Sequence, residues 1–164
     1  MRLILVRHGQ ANPADIDPEK GLSETGRLEV ARLGSLIGPL QLGVDEIWHS
    51  DKVRARQTAE LLAQAIKAIN GLVQKRNLGP NDDVAKVTDA VMAENKDLMI
   101  VGHLPFMNNM LSYLLAGDQH RCVFAFPAAG MAQLEYDGNR WRLQWFINPE
   151  FGSSEAGARF RSYH

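Results

Sequence analysis

Short aliphatic runs separated by amphipathic stretches occupy the first two thirds of the chain. Leu3 to Val6 is an unbroken run of strand-forming residues, and Leu98 to Val101 repeats the pattern. Such runs are typical of parallel strands that are buried on both faces of a sheet. Glu46 to Trp48 predicts a further strand, and Leu72-Val73 predicts a short extended piece.

Four helices are predicted between and after these strands. Ser23 and Ser50 are plausible N-caps of the first two, and we expect the second helix to continue until Asn70-Gly71. Pro105 suits the first turn of the fourth helix, which we expect to reach about Leu115. The residues at inward-facing helical spacing are Val30, Leu33 and Ile37 in the first helix, Ala55, Thr58, Ala59, Leu62, Ala65, Ile66 and Ile69 in the second, and Val84, Val87, Val91 and Met92 in the third.

The pattern changes beyond Gly117, where only short apolar segments remain. Three of these segments predict strands, at 123–126, 131–136 and 142–147. The sequence Asp-Gly-Asn at 137–139 is a hairpin signal between the last two. We therefore expect the C-terminal part of the sheet to be antiparallel.

Alternating strands and helices predict a three-layer α/β/α sandwich with a mostly parallel central sheet and an antiparallel C-terminal portion. We expect a single domain over residues 1–147. Residues 148–164 are polar and rich in Gly and Ser, which predicts a loosely held C-terminal tail.

Composition and charge exclude several classes of function. The 164 residues include 18 Lys and Arg against 19 Asp and Glu, a formal net charge of -1 that gives no bulk attraction to nucleic acid or anionic lipid. The aliphatic runs are far shorter than the roughly 20 residues of a membrane helix. Met1-Arg2 leads directly into a strand, so we expect no secretory signal. Cys122 lies in an apolar stretch and predicts a packed thiol in a reducing, cytoplasmic protein, which we expect to be a monomer.

Candidate catalytic residues follow the ends of the predicted parallel strands. Ligands of open α/β sheets bind outside the carboxyl ends of the strands. Arg7 and His8 follow the first strand, Ser50 and Arg54 follow the second, and His103 follows the run at 98–101. Arginine matches phosphate oxygens with fixed charged donors, and a neutral imidazole accepts a phosphoryl group. The sequence therefore predicts phosphoryl transfer at this edge.

Other polar and aromatic residues have no such context. We expect structural or surface roles for His49, His120 and His164, and packing roles for the three tryptophans. No spacing of His and Cys resembles a metal site.

Four blocks along the chain carry a resemblance to a known family. They read Leu-Val-Arg-His-Gly-Gln-Ala at 5–11, Leu-Ser-Glu-Thr-Gly at 22–26, Ser-Asp-Lys-Val-Arg-Ala-Arg-Gln-Thr-Ala at 50–59 and Val-Gly-His-Leu-Pro at 101–105. In order and spacing they resemble the histidine phosphatase superfamily, also called phosphoglycerate mutase-like. The resemblance covers residues 3–105 and implies the phosphoglycerate mutase-like fold.

Within that superfamily the chain is most similar to SixA-type phosphohistidine phosphatases, small bacterial proteins that remove phosphate from histidine. The short length, the Gly-His-Leu-Pro block and the lack of a long insertion around Arg54 carry this similarity. It implies a role in signal transduction, with a histidine-phosphorylated protein, such as a phosphotransfer domain, as the partner. It also implies catalysis without a cofactor.

The resemblance implies that His8 is the nucleophile and that Arg7, Arg54 and His103 hold the phosphoryl group. Positive charge from the two arginines is expected to lower the pKa of His8 and keep it neutral. Arg56 lies about 200° from Arg54 around a helix, so only one of them can enter the pocket. Gln10 and Ser50 are further candidate substrate-binding residues, with loop formation for Gln10 and helix capping for Ser50 as the alternatives.

A general acid is harder to place. Asp82 and Asp83 are the candidates, because Leu-Gly-Pro-Asn-Asp-Asp at 78–83 resembles the Pro-Gly-Gly-Asp turn of SixA-type sequences. A histidine leaving group has a pKa of about 6.5 and needs little acid assistance. Ala11 stands where phytase-like members have a second arginine. Both observations favour phosphohistidine over sugar phosphates and highly phosphorylated substrates.

The leading hypothesis is a phosphohistidine phosphatase. A phosphomonoesterase that acts on a small phosphorylated molecule with the same fold is the enzymatic alternative. A regulatory module that binds phosphate without turning it over is the alternative from a different class.

Overall fold

A computed structural model of the chain describes residues 1–151. Residues 152–164, which make up most of the predicted tail, lie outside the described residues. The strands are β1 (Arg2–Arg7), β2 (Gly43–Val44), β3 (Glu46–His49), β4 (Lys67–Ala68), β5 (Leu72–Gln74), β6 (Leu98–Gly102), β7 (Met131–Tyr136) and β8 (Trp141–Ile147). The helices are α1 (Glu24–Ile37), α2 (Val53–Leu62), α3 (Val84–Glu94) and α4 (Phe106–Ala116), with short 3-10 turns at Gly38–Leu40 and Gln119–Arg121.

Six strands form one sheet in the order β5-β3-β6-β1-β7-β8. The first four strands of this order run parallel, and β7 and β8 are antiparallel to their neighbours. Strands β2 and β4 pair separately as a small parallel ladder. The predicted mixed sheet with an antiparallel C-terminal portion is confirmed.

The side chains of β1 alternate between two hydrophobic cores. Leu3 and Leu5 pack with α3 and α4 on one face of the sheet, and Ile4 and Val6 pack with α1 and α2 on the other. Both faces of the sheet are therefore covered, which makes the three layers of the predicted α/β/α sandwich. No helix within residues 1–151 is long and apolar enough to cross a bilayer.

Helix α1 begins where the sequence predicts. The Ser23 hydroxyl accepts a hydrogen bond from the amide of Gly26 at 3.0 Å, as an N-cap does. The predicted inward residues Val30, Leu33 and Ile37 are all buried. Helix α4 likewise begins directly after Pro105 and ends at Ala116.

Helix α2 is shorter than predicted and is capped differently. It ends at Leu62, because the following chain pairs with β2 as strand β4, and the amide of Ile69 donates to the carbonyl of Val44 at 3.1 Å. Ile69 is exposed rather than buried. The N-cap position is Lys52, without a side-chain cap, so the prediction that Ser50 caps this helix is wrong.

The segment at 123–126 is not a strand. Side chains of α4 take up its backbone amides in place of a neighbouring strand: Ser112 accepts from Val123 at 3.2 Å, and Asn108 accepts from Phe126 at 2.9 Å. Cys122 is exposed and has a φ of 50°, at the end of the preceding 3-10 turn. The predicted packed thiol is therefore wrong.

Candidate active site

Two histidines meet at the carboxyl edge of the sheet because their strands are neighbours. Arg7 of β1 lies opposite Gly102 of β6, so the residue after each strand end, His8 and His103, falls at the same level. The amide of His8 donates to the carbonyl of Gly102 at 3.0 Å. The ring centroids of His8 and His103 are 4.9 Å apart, with their planes at 60°. The structure thus brings the two predicted imidazoles together.

The orientation of the His8 ring is set by its own backbone. Its Nδ1 lies 2.6 Å from the carbonyl oxygen of Gly9. A carbonyl oxygen only accepts, so Nδ1 carries the proton and, in the neutral ring, Nε2 carries the lone pair. The amide of Gly9 donates to the Thr58 hydroxyl at 3.2 Å, and that hydroxyl donates to the carbonyl of Arg54 at 2.8 Å. Thr58 therefore connects the loop that holds His8 to helix α2.

His103 is buried, with 1% of its surface exposed. Its Nε2 lies 2.5 Å from the hydroxyl oxygen of Ser50, which is also 1% exposed. Its Nδ1 is buried and has no hydrogen-bond partner among residues 1–151. The carbonyl of His103 accepts from the amide of Met107, so the first turn of α4 fixes the backbone beneath the ring.

Two arginines act electrostatically on the histidine pair. The Arg7 guanidinium donates from Nη1 to the carbonyl of Phe126 at 2.9 Å, and its buried Nε has no partner within the described chain. Arg54, in the first turn of α2, is half-buried and acts electrostatically on both His8 and His103. Arg56 is exposed and lies 3.6 Å from Glu60 on the helix surface. The structure thus places Arg54 beside the histidines and Arg56 away from them.

Burial and positive charge keep both imidazoles neutral. Burial lowers the pKa of His8 to about 4, with Arg54 and Arg7 lowering it further against the opposing bond to Gly9. Burial also lowers the pKa of His103 to about 3, assisted by His8, Arg54 and Lys52. The arginine charges were expected to lower the pKa of His8, but desolvation by burial is the larger cause.

The other predicted site residues have local partners. Gln10 lies in the exposed loop after His8, where its carbonyl accepts from the amide of Ser23 at 2.9 Å. Asp82 accepts from the amide of Gly79 at 2.6 Å, and Asp83 caps α3 by accepting from Ala85 at 2.9 Å. Direct substrate contact by Gln10 and acid catalysis by either aspartate stay predictions.

A carboxyl group that the sequence argument missed lies close to this edge. Glu29 of α1 accepts from the amide of Gln10 at 3.3 Å and interacts electrostatically with Arg7. Burial raises the pKa of Glu29. The sequence offered one indication of this position, since Glu29 follows Gly26 by three residues and lies on the same face of the helix.

Thr58 is a second residue whose part in the site was not predicted. The indication in the sequence was a polar side chain on the otherwise apolar face of α2.

The remaining histidines do not join the pair. His49 is buried and bonds through Nδ1 to the carbonyl of Ser50 at 2.9 Å, a structural placement, and His120 is exposed. His164 lies outside the described residues. No group of three or more His, Cys, Asp or Glu within residues 1–151 is arranged to hold a metal ion.

Part of the chain matches a known protein family. The family model described as histidine phosphatase superfamily (branch 1) matches residues 3–78. No curated protein matches the sequence.

Several solved structures share the fold. The protein histidine phosphatase SixA complexed with tungstate superposes with a TM-score of 0.80 at 21% identity, covering 91% of this chain and 97% of that one. A candidate phosphohistidine phosphatase SixA from Agrobacterium tumefaciens gives 0.72 at 28% identity, covering 89% and 96%. A candidate α-ribazole-5'-P phosphatase from Escherichia coli K-12 gives 0.74 at 15% identity, covering 93% and 100%.

The matched region 3–78 contains three of the four sequence blocks, and the fourth block supplies His103 at the same sheet edge. The similar folds extend the likeness to about nine-tenths of the chain. Sequence and fold together confirm the resemblance to the histidine phosphatase superfamily, with SixA phosphatases among the most similar structures.

Proposed function

We propose that this protein is a phosphatase that removes phosphate from a phosphohistidine side chain of a partner protein, through a transient phospho-His8 intermediate. One observation carries the proposal: a partly exposed imidazole with a free Nε2 lone pair has its ring centroid 4.9 Å from that of a buried second imidazole, and two arginines act on it electrostatically. The partner class is a histidine-phosphorylated protein of the kind found in phosphorelays.

The reaction proceeds in two displacements. In the first, Nε2 of His8 attacks phosphorus as the bond from phosphorus to the substrate imidazole breaks, and the departing imidazole takes up a proton from water. In the second, a water molecule attacks phosphorus, the bond to Nε2 breaks, a proton of the attacking water neutralises the hydroxide left by the first step, and inorganic phosphate leaves. No metal or other cofactor takes part in either step.

The protein's own groups contribute position and charge. Arg7, Arg54 and His103 hold the nonbridging oxygens while charge redistributes in a loose transition state. The low pKa of His8 keeps the nucleophile unprotonated at neutral pH without a separate base. Arg7 Nε and His103 Nδ1, both buried and without a partner in residues 1–151, are the atoms for which a phosphoryl group would provide acceptors.

The charged surroundings of the histidines favour phosphohistidine as the substrate. Within residues 1–151, the ionisable groups that shift the pKa of His8 are Arg54 and Arg7, and those that shift the pKa of His103 are His8, Arg54 and Lys52. An imidazole leaving group, with a pKa of about 6.5, departs without a strong acid, whereas an alcohol needs one. The fold similarity to SixA phosphatases supports the same substrate class.

A phosphomonoesterase acting on small molecules is the second candidate. It is favoured by Glu29, a half-buried carboxyl group beside Arg7 whose pKa is raised by burial, as a leaving-group acid requires. The fold shared with a candidate α-ribazole-5'-P phosphatase agrees with this alternative.

The test is a comparison of phosphate release from two substrates at equal concentration, without added metal. One is a phosphotransfer protein phosphorylated on histidine, and the other is a small phosphoester. We expect faster release from the phosphoprotein, loss of release in His8→Ala, and no change in the control His120→Ala, which alters an exposed histidine. Brief reaction followed by an alkaline quench should trap acid-labile phosphate on the enzyme.

Undiminished turnover by His8→Ala would refute the mechanism. Faster release from the ester by orders of magnitude would favour the phosphomonoesterase. Tight phosphate binding without release from either substrate would indicate the regulatory module.

A further inference from the structure

His103 follows β6, and β6 lies between β1 and β3 in the sheet. Strand β6 pairs with β1 on one side and with β3 on the other, so His8 follows the strand on one flank and Ser50 follows the strand on the other. Ser50 was predicted either to cap α2 or to bind substrate directly. The capping interpretation is wrong and substrate contact stays a prediction, while the hydroxyl lies 2.5 Å from Nε2 of His103, with both residues 1% exposed.

The hydrogen bonds around Ser50 indicate the direction of this contact. The amide of Lys52 donates to the Ser50 oxygen at 3.3 Å, which uses one of its lone pairs. The other partner of this buried hydroxyl within residues 1–151 is His103 Nε2, so its proton has no acceptor there unless it is donated to Nε2. A neutral imidazole has one proton, so an Nε2 that accepts from serine requires the proton on Nδ1.

Nδ1 of His103, unlike Nε2, must carry a proton in order to bind a phosphoryl oxygen. Nδ1 is buried and has no partner in residues 1–151, on a ring whose centroid lies 4.9 Å from that of His8. A buried polar atom without a partner is costly and is rare in native proteins. A phosphoryl oxygen held at His8 accepts hydrogen bonds and donates none. Only an Nδ1 that carries a proton can satisfy such an oxygen.

We propose that Ser50 is a positioning residue: its hydroxyl donates to Nε2 of His103, holds the proton on Nδ1, and so makes Nδ1 a donor to the phosphoryl group at His8. Ser50 acts through His103 and does not itself contact substrate. The catalytic consequence rests on the proposed function, whereas the tautomer of His103 does not.

The tautomer of His103 matters because the ring is neutral. A protonated imidazole donates from both nitrogens, and its tautomer is of no consequence. A neutral ring in the wrong tautomer would present a lone pair to a negatively charged oxygen, which is repulsive. Ser50, which follows strand β3 on the side of His103 away from His8, therefore determines whether His103 attracts or repels the phosphoryl group.

The tautomer is measured directly, without substrate, by nitrogen NMR of protein labelled with ¹⁵N-histidine at pH 7. The signals of His103 are assigned by their disappearance in His103→Gln. We expect a protonated Nδ1 and an unprotonated Nε2. A wild-type His103 with the proton on Nε2 would overturn the proposal, whatever the activity of the enzyme.

Substitutions test the consequence. We expect Ser50→Ala to lower kcat/KM and to weaken the binding of tungstate, an oxyanion used as the phosphate probe, each by about ten- to hundredfold. Ser50→Thr, which keeps the hydroxyl, should restore much of both. The matched control is Ser112→Ala, which removes another fully buried serine, one that accepts from Val123. We expect its tungstate affinity to equal that of the wild type.

A folded Ser50→Ala protein with wild-type tungstate affinity and kcat would contradict the proposal. If that variant does not fold, the wild-type NMR measurement decides alone. An Nδ1-protonated His103 in a protein that hydrolyses none of the phosphorylated substrates would preserve the tautomer assignment while removing the proposed function.

Discussion

The Nδ1 of His8 donates to the carbonyl oxygen of its chain neighbour Gly9 at 2.6 Å, so the adjacent backbone assigns the two ring nitrogens to different tasks. We predict that the trapped phosphoenzyme carries its phosphate on Nε2. The phosphorylated nitrogen can be identified by ¹⁵N and ³¹P NMR of protein labelled with ¹⁵N-histidine. Phosphate on Nδ1 would show that the bond to Gly9 breaks before reaction.

The two arginines of α2 should differ sharply in their effects. Arg54 acts on both histidines, whereas Arg56 lies near Glu60 on the exposed surface. We expect Arg54→Ala to lower kcat/KM by about a hundred- to thousandfold, because a charged donor to the transition state is lost. Arg56→Ala is the matched control and should stay within about twofold of the wild type. Equal losses in both variants would point to helix destabilisation.

The pH dependence of activity should reflect the unusual environment of His8. The neutral form attacks phosphorus, so activity is present above the pKa of His8 and is lost as the pH falls through it. Because that pKa is lowered to about 4, the enzyme should stay active at pH 5.5. An ordinary histidine would be about 90% protonated at that pH. The measurement is an NMR titration of His8 beside kcat/KM profiles, and a midpoint near 6.5 would contradict it.

Glu29→Gln distinguishes the two candidate substrate classes. If the substrate is phosphohistidine, release from the phosphoprotein should change by no more than a few-fold, because its leaving group needs little acid. Any activity on a small phosphoester should fall by about a hundredfold or more, as loss of a general acid implies. Glu24→Gln, at an exposed position of the same helix, is the control. An equal loss with both substrates would assign Glu29 a role that does not depend on the leaving group.

The close approach between α1 and the loop after His8 predicts a stability effect. A Cβ atom at Gly26 would overlap the carbonyl oxygen of Gln10, which is backbone and cannot rotate away. Gly26→Ala should lower the free energy of unfolding by about 1–3 kcal/mol. Gly38→Ala is the control, since a Cβ there meets nothing within 4 Å and its φ is -50°. Urea unfolding measures both, and equal stabilities would show that the loop moves aside.

The sequence predicted the parts of the fold that depend on local patterning. The runs in β1 and β6, the Ser23 cap of α1 and the hairpin of β7 and β8 all fall where their residues indicate. The end of α2 was missed because Lys67–Ala68 pairs with a strand more than 20 residues earlier, and helical periodicity carries no information about such a partner. The segment at 123–126 was wrongly predicted as a strand, because side chains of α4, and not a neighbouring strand, accept hydrogen bonds from its backbone amides.

The site likewise contains residues that the sequence predicts and contacts that depend on packing. Its central residues, His8, Arg7, Arg54 and His103, could be selected from strand ends and from the family resemblance, and the structure brings them to one edge. The contact of Ser50 with His103 could not be predicted, because it depends on which strand lies on each side of β6. The position of Glu29 likewise depends on how α1 packs against the loop after His8.

The central place of β1 and β6 in the sheet has a consequence for how the protein opens. Fluctuations that detach an edge strand such as β5 or β8 leave both inner strands paired to each other. The backbone amides of β1 and β6 should therefore exchange with deuterium only on global unfolding, while those of the outer strands exchange earlier. The two imidazoles belong to the last part of the molecule to come apart, and loss of their pairing should coincide with loss of the fold.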